Sequence, residues 1–334
     1  MMRRWAFWLL LAGLIALLAY GFWSTRPWEQ PVWTAVGLTR LAWFAGLYGA
    51  WVLLAGLLFP EQFVSATVLA ALANVIGVAG VQPVAAVLFF LLSSWALGGV
   101  LRAPGLLGLL VGMSVHAFAI GLAVHLPLNY PAVYTVWLAL PLVVRWRHIR
   151  EGYSELAQRL RQPTRTGRQL LPAAMLGLIL LMHLLVALKP EVGADGLAVH
   201  LAIPASVAVH HRWVFEVQHT TWAVMPMGAD WCFTAVYLLG GEAATRLFNF
   251  SLLLIVLELV NGLLKRLLSP GARLVLTALL ASSPIVQLLT GSLFAENFWA
   301  ALLCGAFVAL VRYRASGEGR DARVAAVLLG MGLA

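Results

Sequence analysis

Thirteen acidic side chains are spread over 334 residues, few enough for each to be asked what it does. Most fall in loops or beside arginines. Asp195 lies in Lys189-Pro-Glu-Val-Gly-Ala-Asp195-Gly-Leu-Ala-Val-His200-Leu-Ala-Ile-Pro204, just past an apolar run, and Glu296 lies in Thr290-Gly-Ser-Leu-Phe-Ala-Glu296-Asn297, a short turn between two others. A carboxylate at the mouth of a helical bundle is costly to desolvate, and one that stays ionised there can take a proton from a hydroxyl or hold a cation. Either acid could equally cap the helix that follows it by accepting backbone N–H groups. Spacing leaves both readings open.

The stretch after Asp195 adds His200, His210, His211 and His219 together with Arg212, side chains suited to a phosphate or a divalent ion. It has no His-x-x-x-His or Cys-x-x-Cys spacing, and Pro204 interrupts the helical face, so interfacial histidines are favoured over metal ligation. Trp213, Trp222 and Trp231 can stack on a sugar ring or anchor at a membrane surface. His116, His125 and His183 fall inside apolar runs, where hydrogen bonding within a bundle is expected. Cys232 and Cys304, the two cysteines, are not expected to form a disulfide.

These groups must be positioned by apolar helices. Hydrophobic residues make up 62% of the chain and charged residues only 10%, against about 25% charged in a soluble domain. Apolar runs repeatedly reach the roughly 18 residues that mark a bilayer span, and in lipid such spans must be helical. The expectation is an all-α polytopic bundle with about ten spans near 5–23, 34–59, 63–81, 84–101, 105–126, 131–146, 169–188, 243–264, 274–290 and 297–311. A partial eleventh begins near 324 and stops after about ten residues, as an incomplete span would. No small-x-small cleavage site follows the first run, which is therefore a retained span.

With the N-terminus cytoplasmic, 17 of the 22 Lys and Arg residues fall on inner segments, so the alternation obeys the positive-inside rule. The net charge of +9 is then a topology signal, and nucleic acid, which needs a basic face on a soluble surface, is not an expected partner. Residues 1–146 read as a six-span region, 147–168 as a basic cytoplasmic linker resting on lipid headgroups, and 169–334 as a second membrane region. Loop 189–242 is external, with amphipathic juxtamembrane helices. Within it, 221–241 is expected to lie in the interface or dip partway in, because counting it as a span would put Lys265 and Arg266 outside. Gly108-x-x-x-Gly112 is a close-packing signal.

From about 170 to 314 the chain resembles the C-type integral membrane glycosyltransferases, in particular bacterial members of the dolichyl-phosphate-mannose mannosyltransferase and aminoarabinose-transferase kind. The resemblance rests on Gly-Ala-Asp195-Gly-Leu-Ala-Val-His200-Leu-Ala-Ile-Pro204, on Pro226 and Leu239-Gly-Gly-Glu-Ala-Ala-Thr-Arg246-Leu-Phe-Asn249, on Lys265-Arg266, on Ala281-Ser-Ser-Pro284 and on Gly291-Ser-Leu-Phe-Ala-Glu296. Such enzymes carry one essential acid in the first external loop and a second in the next, and by position these are Asp195 and Glu296. The second acid is usually Asp, and the basic residue often found before the proline-rich part of the first loop is missing around Pro226.

The resemblance implies transfer of a sugar from a polyprenyl-phosphate donor to a hydroxyl of a glycan, lipid or protein acceptor, on the outer face of a bacterial cytoplasmic membrane. Asp195 would be the base, and Glu296 would orient the acceptor or, with Asp195, hold magnesium or manganese. His200, His210, His211, Arg212, Arg246 and Trp222 would contact the substrate. A transporter or flippase of a lipid-linked substrate, or a noncatalytic member of the same fold, is the alternative. Transport predicts polar residues at midplane, for which Asn74, His116 and His183 are the candidates.

Overall fold

A computed structural model describes residues 12–13, 16–17, 19–20, 23–24, 35–59, 61–161, 169–214, 218, 225–265 and 267–333. Trp222, His219, Arg266 and most of the expected first span lie outside the described residues. The described residues form helices and connecting turns, with no strand among them. Among the described residues six helices are long and apolar enough to cross a membrane, seven if one bent pair counts as a single span.

The chain divides into two compact units, residues 1–57 and 58–334. In the first, α1 (Ala35–Leu58) is apolar almost throughout. The second unit comprises α2 (Phe63–Ala79), α3 (Val81–Gly98), α4 (Gly105–Ala123), α5 (Pro131–Val144), α6 (Trp146–Arg161), α7 (Leu170–Ala187), α8 (Ala202–His210), α9 (Gly228–Leu264), α10 (Pro270–Ala281), α11 (Pro284–Gly291), α12 (Glu296–Ser316) and α13 (Gly319–Leu333). Phe90 and Met113 from its front part share one core with Phe233, Phe248 and Phe298 from its back part. The first part of the expected linker 147–168 is the polar, amphipathic helix α6.

Outward faces in this unit are apolar: Phe118, Leu122, Val136 and Leu303 are each more than half exposed, as suits lipid rather than water. Because lipid is as apolar as a leucine side chain, burial alone does little to hold such helices together, and close backbone approach must contribute. At the α3–α4 crossing a Cβ on Gly98 would stand 1.6 Å from the Gly108 carbonyl oxygen, and one on Gly112 would stand 1.7 Å from that of Ser94. The expected Gly108-x-x-x-Gly112 contact is thus made, with Ser94 and Gly98 opposite.

Straight, the 37 residues of α9 would extend about 55 Å. Gly241 breaks the helix at φ 70°, ψ −164°, a conformation open to glycine and strained for other residues. Phe233 and Phe248, which a straight helix would separate by about 22 Å, have ring centroids only 6.0 Å apart and meet edge to face. The helix therefore doubles back at Gly241. The arm 228–240, expected to lie in the interface or dip partway in, packs against the bundle: Gly228 to Val236 is buried without interruption, Trp231 covers Gly121, and Leu239 accepts a hydrogen bond from Gln82. α10 and α11 form the bent pair, turning by 63° at the breaks set by Ser283 and Pro284.

Candidate functional site

Asp195 and Glu296 stand at one end of the second unit, each at the start of the helical segment that follows a turn, 188–193 after α7 and 292–295 before α12. What holds the turns together is a third acid. Glu191 is buried, and its carboxylate accepts hydrogen bonds from the backbone N–H groups of Val192, Gly193 and Leu293, from the Ser292 hydroxyl and from the Arg246 guanidinium. Burial pushes this carboxyl up, but the Gly193 N–H, the Arg246 charge and the Ser292 and Leu293 donors outweigh it and hold Glu191 below its ordinary pKa.

Arg246 is buried on the second arm of α9 and also donates to the carbonyls of Ala187, Val186 and Gly291, at 3.3, 2.9 and 3.0 Å. All three guanidinium nitrogens are engaged, so the side chain expected on a phosphate serves instead as a clasp between α7, α9 and α11. Asn249, one turn further along, donates to the carbonyls of Leu289 and Ser292 and accepts from Asn297, which also donates to the Thr290 hydroxyl. Glu242 accepts from the Glu191 backbone N–H at 2.5 Å, tying in the start of the same arm.

The clasp presents a second cluster. Asp195 and Glu296 are both exposed, with no Lys or Arg in ion-pair contact among the described residues. Asp195 occupies the N-cap of a π-helical turn, Gly196–His200, and its side chain makes no capping hydrogen bond. The capping alternative is therefore not what the structure shows for Asp195. That wide turn ends on His200, whose Nδ1 lies 2.7 Å from Oδ1 of buried Asp230 on the first arm of α9. With Asp230 ionised, its carboxylate accepts there from Nδ1–H, which leaves Nε2 for a ligand. Phe233 and Phe294 flank the ring, each 6.4 Å away between centroids.

Both exposed acids act on that imidazole. Burial alone would lower the His200 pKa, but the hydrogen bond and charge of Asp230, followed by the charges of Glu296 and Asp195, raise it above the ordinary histidine value. Among the described residues no group of three or more His, Cys, Asp or Glu side chains is gathered, and a magnesium ion held by one or two carboxylates together with substrate phosphates needs no such group.

The other expected contacts are elsewhere. His210 bonds back to the Ser206 carbonyl of its own helix. His211 adopts a left-handed conformation, stacks on Tyr130 with centroids 3.9 Å apart, and has its carbonyl held by Asn129. Both lie at the far end of α8, about 15 Å along the chain axis from His200. Arg212 follows them and is exposed. Trp213 and Trp231, expected on a sugar or at an interface, are buried and line a cavity of about 430 Å³ with His125 and Met227.

Asp230 and Glu191 are the residues that sequence reasoning missed. Asp230 sits among Trp231, Cys232 and Phe233, and an acid inside an apolar run is the signal that could have drawn attention to it. No family model, curated protein or solved structure matches the chain.

Proposed function

We propose that the chain is a membrane glycosyltransferase that moves a sugar from a polyprenyl-phosphate donor to an acceptor hydroxyl on the external face of the bacterial cytoplasmic membrane. The observation that carries this reading is that one buried carboxylate, Glu191, accepts from Val192 and Gly193 on one turn and from Ser292 and Leu293 on the other, which joins the segments that carry Asp195 and Glu296. Asp195 takes the acceptor hydroxyl proton as the oxygen bonds to the anomeric carbon. The bond from that carbon to the phosphate oxygen breaks, and the lipid phosphate leaves with the electron pair as an anion. Glu296 orients the acceptor. His200, protonated and held through Nδ1 by Asp230, donates from Nε2 to the departing phosphate.

The same reading takes the helices as about ten crossings, counting the shorter α2 and α5 and the N-terminal run, with Asp195 and Glu296 outward by the positive-inside rule. A transporter receives no comparable support. Asn74 bonds to Ala70 in its own helix, His116 to Ser93 and Trp137, and His183 to the Ala281 carbonyl, so all three midplane candidates are satisfied locally.

The test is Asp195→Asn in the full chain, reconstituted in vesicles with labelled polyprenyl-phosphate sugars and a hydroxyl acceptor fraction. Loss of a general base lowers transfer by about 100-fold or more. Transfer equal to that of the unsubstituted protein would remove Asp195 as the base.

A further inference from the structure

A long cavity lies away from these acids, along a face of α5 that α3 and α4 leave uncovered. It measures about 820 Å³ and runs from Ala132 to Arg145, about 20 Å along the helix. Leu97, Val100, Val115, Val136 and Leu140 make its wall. His116, the polar side chain at mid-length, is closed off by Ser93 and Trp137. One charged residue lines it, Arg145, at its foot. Nε of that guanidinium is buried without a hydrogen-bond partner, and no carboxylate pairs with it among the described residues. Its Nη2 lies over the last turn of α3, 2.8 Å from where a Cβ on Gly99 would stand.

The next residue begins α6, on which Trp146, Arg147 and Arg150 are exposed. α6 packs back on α3, where Trp95 lies so close that a Cβ on Gly152 would meet its ring at 2.4 Å. A basic amphipathic helix of this kind belongs at headgroup level. It puts Arg145 where a lipid phosphate would be, with an apolar groove leading away from it that is at least as long as the roughly 15 Å hydrocarbon depth of one leaflet.

We propose that this groove binds one anionic phospholipid of the surrounding membrane, its phosphate on Arg145 and one acyl chain along α5. Charge complementarity selects the occupant: a single unpaired cation closes one end of an otherwise apolar channel, which fits an amphiphile with one anionic head. Neutralising the carbonyl end of α3 would account for the placement of Nη2. It accounts neither for the unpartnered Nε nor for the uncovered apolar wall.

Native mass spectrometry of the purified full chain, titrated with phosphatidylglycerol or phosphatidylcholine, tests this. The unsubstituted protein should bind one phosphatidylglycerol about fivefold more tightly than phosphatidylcholine, the factor expected of one basic residue at the membrane surface. Arg145→Gln should remove the preference and Arg145→Lys should keep it. Ala119→Trp, which puts a ring into the groove and leaves the charge in place, should weaken both lipids. Equal binding of the two lipids by the unsubstituted protein would overturn the site. So would a preference that survives Arg145→Gln and disappears in Arg147→Gln/Arg150→Gln, because it would then be general surface attraction.

Discussion

Glu191 and Asp195 lie four residues apart in sequence and have opposite surroundings. Glu191 is buried, with three backbone donors, one hydroxyl and one guanidinium on its carboxylate. Asp195 is exposed, and its charge adds to those of Asp230 and Glu296 in raising the His200 pKa. A buried carboxylate is tolerable only when fully hydrogen-bonded, and a carboxylate so bonded has no capacity left for a substrate. The difference separates the acid that builds the turns from the acids that remain for chemistry.

The sharpest way to break that distinction is to remove each acid in turn. Glu191→Ala leaves the Arg246 guanidinium buried without its counter-charge, a change worth about 3–5 kcal/mol, and should lower the thermal midpoint in detergent by many degrees or prevent assembly. Asp195→Ala should leave that midpoint unchanged while abolishing transfer. Equal destabilisation by both would erase the contrast. Next in size, Asn297→Ala leaves the Asn249 and Thr290 side chains short of a buried partner and should cost about 1–3 kcal/mol in the same melting experiment.

Smaller effects come from pH. A histidine whose pKa is raised by folding contributes stability that is complete below its ordinary pKa and is lost as pH rises through the raised value. Transfer that needs the imidazolium should fall over the same interval, and Asp230→Asn should move that fall to lower pH in a rate profile. Glu191, depressed by folding, has the opposite sign: its contribution is present above the ordinary carboxylate pKa and fades as pH drops through the depressed value.

Much of this was legible before any coordinates. The helices of the second unit fall close to the expected spans, since apolar length is a strong signal, and Gly108-x-x-x-Gly112 marks its crossing because only small residues permit it. The packing of the first arm of α9 was harder to see. An apolar stretch with Trp231 and Phe233 reads the same whether it faces lipid or a bundle, although Gly240-Gly241 does mark where the chain turns. The Glu191–Arg246 clasp spans 55 residues in sequence. The division at 57/58 depends on which helices share a core, which hydropathy cannot express.

The account rests most heavily on Asp195 and Glu296 belonging to one site with His200, as their contributions to its raised pKa imply. Its most direct test is NMR titration of the full chain with isotope-labelled histidine, the His200 signal being assigned by its loss in His200→Gln. Asp195→Asn and Glu296→Gln should each lower the His200 pKa, and together they should lower it further. A His200 pKa that either substitution leaves unmoved would contradict the shared site.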